Sequence, residues 1–173
     1  AIELKKRGRD NDIHLLFIGE GKCKKELEEK VRLEGIKNCI FVPSISKIKL
    51  AKILKENVHV GLMVLKNIPA FYEGTSPNKF FDYLASGLPI INNYPGWISE
   101  LINKYNLGIK VKPDDYRDFA DALIMLADNK ELVKKQSINA RRLAEEKYSS
   151  QILSKNIREL IENLILQIFD IIC

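Results

Sequence analysis

Cysteine is scarce in this sequence and forms no pattern. Cys23, Cys39 and Cys173 are three in number, with no CxxC spacing. That argues against a disulfide framework or a zinc ribbon and for a reducing compartment. Histidine is scarcer still, at two residues, and neither stands with cysteine or acid at metal-ligand spacing. No protein-held metal and no cofactor is therefore expected. No apolar run reaches the roughly 18 residues of a membrane span, and the opening residues carry no signal-peptide pattern. The expected location is the cytoplasm, with peripheral attachment at the inner face of a membrane as its finer form. A dense basic run with interleaved aromatics is also missing, which argues against nucleic acid as a partner.

What is present is ordinary globular material. The 173 residues are 46% hydrophobic and 29% charged, enough for one domain, 1–173, with a substantial core. The net charge of +5 suits a phosphate-bearing ligand or an anionic surface without requiring either. The opening stretch AIELKKRGRDND has no Met and reads as the end of a helix entering a polar turn. It is expected to continue from a longer chain.

Apolar runs then alternate with helical patterns. HLLFIGEG (14–21) is a buried strand closed by glycines, and residues 22–33 a helix with Leu27, Val31 and Cys23 turned inward. CIFVPSI (39–45) is a second strand, after which Ser46 caps a helix through Leu50, Ile53 and Leu54. VHVGLMVL (58–65) has the continuous apolarity of a parallel strand covered on both faces. LPIINN is a fourth strand, Trp97 to Tyr105 a short helix, and LGIKVKP a fifth strand with the alternation of a sheet edge. Asp114-Asp115 opens a helix striped by Phe119, Leu123 and Leu126. Two more helices, 132–147 and 150–173, end the chain, the last apolar at Leu160, Ile161, Leu164, Ile165, Ile168, Phe169 and Ile172. The fold class is thus α/β, a Rossmann-like parallel sheet flanked by helices, with a long C-terminal helix.

In such sheets ligands sit at the carboxyl ends of the strands. Three loops fall there: Gly19-Glu20-Gly21, Pro43-Ser44-Ile45 and residues 66–75. The last leads into EGTSPNKFFDYLASGLP (73–89), around which the chain is organised. Ser76 is expected as N-cap, Pro77 at the first helical position and Gly87 as the left-handed stop. Free amides at that start make an anion site. Lys79 adds a cation where the helix dipole does not favour one, which implies an anion nearby. Asp82, one turn in, suits a diol, and Glu73 another hydroxylated group. Gly19 and Gly21 allow close backbone approach, although the third glycine of a dinucleotide fingerprint is missing.

The order FIGEG, FVPSIS, VHVGLMVL, EGTSPNKFFDYLASGLPII, PGWISELI, LGIKV resembles the C-terminal half of a GT-B glycosyltransferase, and more narrowly glycosyltransferase family 4. The likeness runs from about Asp12 to Ile161. It implies retaining transfer of a sugar from a nucleotide diphosphate sugar, of the UDP class, to a glycan or lipid-linked acceptor in polysaccharide biosynthesis. It also implies roles. Asp82 takes the place of the acid that holds the ribose, and Ser76, Asn78 and Lys79 form the helix start that holds the diphosphate. Pro43 to Ile45 lie by the base, and Gly19 and Gly21 near the diphosphate. Glu73 stands nine residues before Asp82, where the family's sugar-facing acid stands eight before, with Gly74 at that position. The family's basic Arg/Lys pair follows a first strand that would precede Ala1, as would the acceptor-binding N-terminal domain. The resemblance thus implies a donor-binding piece that is inactive alone, with Glu73 the one catalytic candidate inside it. The rival classes are a non-catalytic α/β domain binding a phosphate ligand or a partner protein, and a nucleotide-sugar epimerase of the same architecture.

Other residues have plainer expectations. His59, mid-strand, and His14, at a strand start, read as structural. Trp97 reads as packing, and Arg141, Arg142, Glu145 and Glu146 as a solvated helix face. The apolar last helix is expected to pack against the N-terminal domain, with a membrane surface as the rival.

Overall fold

In the computed structural model strand and helix alternate as far as the helix over Tyr116–Asp128, and two more helices follow it. The structure describes residues 1–72 and 74–172; Glu73 and Cys173 lie outside the described residues, as do the side chains of residues 166 and 168–172. The strands are β1 (Leu15–Ile18), β2 (Cys39–Val42), β3 (Gly61–Met63), β4 (Ile90–Asn92) and β5 (Gly108–Lys110). The helices are α1 (Ile2–Lys6), α2 (Lys24–Leu33), α3 (Lys47–Asn57), α4 (Asn78–Ala85), α5 (Trp97–Tyr105), α6 (Tyr116–Asp128), α7 (Lys130–Lys147) and α8 (Ser150–Ile172). All strand pairing is parallel, as short βα repeats require, but the strands form two sheets: β1-β2 and β3-β4-β5. β5 lies at an edge, as its alternation implied.

The second sheet is covered on both faces. Ile90 and Ile91 are neighbours in β4, so they point to opposite sides. On the Ile90 side, Phe80 and Leu84 of α4, Ile98 and Ile102 of α5 and Leu143 of α7 close one core. On the Ile91 side, Leu4 of α1 and Ala120, Leu123 and Leu126 of α6 close another. Phe80, Leu84, Ile90 and Ile91 are all 0% exposed, and each such burial is worth about 1.5–3 kcal/mol.

Local capping follows the sequence in most places. Ser46 accepts the Lys49 amide at 3.4 Å at the head of α3, and Asp115 accepts those of Arg117 and Asp118 at 3.0 Å at the head of α6. Gly87 sits at φ +66° behind α4. There the Leu88 amide donates to the Tyr83 carbonyl at 2.9 Å and the Gly87 amide to Leu84 at 3.0 Å, the paired bonds of a Schellman stop.

Four expectations need correction. Ser76 does not cap α4: Pro77 holds an extended backbone, φ −77° and ψ 133°, and is itself the N-cap, with no side-chain bond. His59 is not in the core; it is exposed in the bend before β3, which starts only at Gly61. His14 is exposed as well, just ahead of β1. Leu27 is 45% exposed and α2 buries none of its residues, because the sheet beneath it is narrow. Trp97 does pack: its indole N–H donates to the Thr75 carbonyl at 3.1 Å and its ring meets Phe80 edge-on at 5.8 Å.

Candidate functional site

The site is assembled at the carboxyl ends of β1 and β3 by two short connections. After β1 the chain turns through Gly19, whose φ of +134° is a backbone state that side chains resist. A Cβ placed there, or at Gly21, would meet nothing within 4 Å, so the loop backbone faces open space. The Lys24 ammonium holds the turn, donating to the Gly19 carbonyl at 3.3 Å and to Glu20 at 2.9 Å.

After β3 the chain runs through a 3-10 turn, Pro69–Phe71, to the head of α4. The loop is pinned by Trp97 on Thr75 and by Tyr72 stacked on Tyr94, ring centres 6.5 Å apart. At the helix head, the first internal bond runs from the Phe80 amide to Pro77 at 3.0 Å. The amides of Asn78 and Lys79 precede that bond and have no acceptor among the described residues. They are the orphan donors that favour an anion.

Lys79, Asp82, Gly19 and Gly21 line one cavity of about 1450 Å³. Lys79 still reaches solvent, yet loss of solvation in the cleft pushes its ammonium below the ordinary lysine value. No carboxylate among the described residues pairs with it. A partly desolvated cation without a counter-ion is costly for the protein alone and attractive to an anion. Asp82, by contrast, has a cation: Lys47 Nζ lies 3.4 Å from one carboxylate oxygen and 3.5 Å from the other. Both side chains reach solvent, so the pair is easily parted.

Of the remaining predicted residues, Ser76 and Asn78 are exposed at the head of α4, Pro43 and Ile45 stand in the β2–α3 loop outside the cavity lining, and Glu73 lies outside the described residues. Sequence reasoning passed over Lys47. Its signal was available: it follows the Ser46 cap directly, at the head of the helix that leaves a loop already assigned to the ligand edge. No group of His, Cys, Asp and Glu among the described residues is placed to hold a metal, and no described helix is long and apolar enough to cross a membrane.

These features define a doubly wound α/β domain whose cleft, at the carboxyl ends of its strands, offers free amides and a lone cation to an anion. The family model for glycosyl transferases group 1 matches residues 1–129, and the chain belongs to that family. It is 26% identical over 149 residues to the alpha-D-kanosaminyltransferase of Streptomyces kanamyceticus, an alignment covering 86% of this chain and 36% of that one. Among solved structures, the C-terminal domain of the group 1 protein LpcC from Francisella tularensis matches with TM-score 0.66 and 26% identity, over 86% of this chain and 77% of that one. S. aureus TarM, a mutant crystallised with UDP among its ligands, matches with TM-score 0.72 and 22% identity, over 91% and 30%. Anabaena HepE in complex with UDP matches with TM-score 0.73 and 13% identity, over 87% and 41%. The chain thus spans about a third of its curated relative, and the last two likenesses speak to fold alone.

Proposed function

We propose that this chain is the donor-nucleotide domain of a glycosyltransferase that moves a sugar from a UDP-type nucleotide diphosphate sugar to a glycan or lipid-linked acceptor in polysaccharide biosynthesis. The observation that carries the reading is Lys79: partly desolvated, without a counter-ion among the described residues, and in one cavity with Gly19, Gly21 and Asp82. Family membership and the UDP held by TarM and HepE support it.

In this reading the diphosphate rests against the amides of Asn78 and Lys79, beside Ser76, with the Lys79 ammonium countering its charge. Asp82 accepts the ribose hydroxyls once Lys47 swings aside or shares the contact. Gly19 and Gly21 let the backbone approach the phosphates, and Pro43 to Ile45 flank the base. Glu73 is proposed to face the donor sugar. Catalysis is electrostatic, by stabilising charge on the leaving diphosphate in a closed cleft.

The chain spans about a third of its curated relative, and the further part proposed for the intact protein is an acceptor-binding N-terminal domain. The face of α8 bearing Leu153, Ile157, Leu160 and Leu164, all exposed here, supports packing against it. The working place is the cytoplasm, at the inner face of a membrane. The test is a donor screen on the full-length protein: release of UDP from one UDP-sugar, lost in Asp82→Ala, is expected. Binding and turnover confined to an unrelated phosphate compound would overturn the reading.

A further inference from the structure

A second cavity, of about 590 Å³, lies at the tail of α4, between that helix, the end of α3 and the middle of α7. It shares no lining residue with the larger cleft at the head of α4. Its size falls within the ~300–1,000 Å³ usual for small-molecule sites. Lys55, Arg141 and Arg142 line it, together with the hydroxyl residues Ser86 and Ser137. Glu145 is the single acid in the lining, and Arg141 already holds it at 2.6 Å.

Cations gather at a helix tail when its last carbonyls lack donors. Here those carbonyls are taken. Asp82 accepts the Ser86 amide at 3.1 Å, Tyr83 the Leu88 amide at 2.9 Å and Leu84 the Gly87 amide at 3.0 Å. Ala85 accepts the Arg141 guanidinium. Lys55 and Arg142 therefore find no acceptor in the end of α4. Neither pairs with a carboxylate among the described residues, and Arg142 reaches the side-chain oxygen of Asn139 at 3.2 Å. Two unpaired cations thus face one hollow beside two hydroxyls.

We propose that this cavity binds the phosphate group of an organic phosphate monoester. Such a group carries about −1.5 to −2 charges at pH 7, which Lys55 and Arg142 together match. The planar fork of Arg142 suits two of its oxygens, and the Ser86 and Ser137 hydroxyls donate to the others. Ile138, 58% exposed on the same wall, offers the organic part an apolar surface. A free phosphate ester and the headgroup of phosphatidic acid present this same chemistry. The site is independent of the nucleotide reading, since none of its residues lines the other cleft.

The test titrates glycerol 3-phosphate into the isotope-labelled full-length protein, with and without saturating UDP. Sedimentation with phosphatidylcholine vesicles, with and without phosphatidic acid, is the second arm. Saturable shifts at the amides of Ser86, Ser137 and Arg142, unchanged by UDP, are expected. Lys55→Gln combined with Arg142→Gln should weaken binding at least about 10-fold, with Tm and UDP affinity unchanged. Lys30→Gln combined with Lys37→Gln removes the same charge away from the cavity and should leave binding intact. Sedimentation that needs phosphatidic acid and is lost in the cavity variant assigns the headgroup as source; binding of the ester alone assigns the free compound. Shifts confined to Asn78 and Lys79 and abolished by UDP overturn the proposal. So do equal losses in the two double variants, or no saturable binding of either probe. A protein that shows the Ser86 and Arg142 shifts but ignores UDP refutes the nucleotide reading and leaves this one standing.

Discussion

The sheet β3-β4-β5 and the sheet β1-β2 are built from similar apolar runs, yet they treat those residues differently. Around the first, Phe80, Ile90, Ile102 and Leu107 are 0% exposed. Around the second, Phe17, Ile40 and Leu27 keep between 41% and 47% of their surface in water. Residue type does not separate them; neighbours do. The first sheet has helices on both faces, whereas the second has a free edge, a wide cavity and a helix, α2, that buries nothing. An apolar run states that burial is intended, and the elements beside it determine whether burial happens.

The sharpest way to break this comparison is a matched pair of truncations. Phe80→Ala should cost about 3–5 kcal/mol in urea unfolding, since it empties a closed core. Phe17→Ala should cost less than about 1 kcal/mol, since the ring already keeps 41% of its surface in water. Equal costs in residues 1–173 would erase the distinction between the two halves. Nearly as damaging should be Gly108→Ala, because a methyl there collides with the Ile90 carbonyl and parts β4 from β5. A loss of roughly 2–4 kcal/mol is expected, read from the same urea curves.

A smaller effect tests the closed half by pH. The Tyr94 hydroxyl is buried without a partner among the described residues, and burial pushes its pKa up to about 12. Below the ordinary tyrosine value of about 10 both folded and unfolded forms are protonated and nothing changes. Above it the unfolded chain ionises first, so stability falls as pH rises from about 10 toward 12. The shift corresponds to about 2–3 kcal/mol. Tyr94→Phe should flatten that part of the alkaline unfolding profile, and an unchanged profile would show the ring to be less enclosed than described.

The smallest stability effect belongs to the cleft. Lys79→Met should raise the Tm of the ligand-free domain slightly, since a partly desolvated cation is removed, while weakening UDP about 10- to 100-fold. In the unmodified domain the lowered lysine value makes this group's contribution improve as pH climbs from that value to the ordinary one near 10.4. Bound diphosphate should shrink that gain. A Tm that falls instead would mark Lys79 as structural.

Much of this was legible in residues 1–173, and the exceptions have physical causes. The Gly87 stop and the Ser46 and Asp115 caps were readable because capping is local chemistry. The alternation of strand and helix was readable because periodicity is local as well. Pro77 was misplaced by one position, since its fixed φ fits both a first helical residue and an extended cap; only ψ separates the two. His59 and Leu27 were misjudged because burial depends on what lies alongside, and the division into two sheets is a long-range fact. Of the site, Gly19, Gly21, Lys79 and Asp82 converge on one cavity, whereas Lys47 emerged only from its distance to Asp82.

The most direct measurement is a UDP titration of the isotope-labelled full-length protein, following backbone amide shifts. The account predicts the largest saturable shifts at Asn78 and Lys79, with Gly19 and Gly21 next, all weakened in Asp82→Ala. Saturable shifts that leave the head of α4 untouched would contradict it.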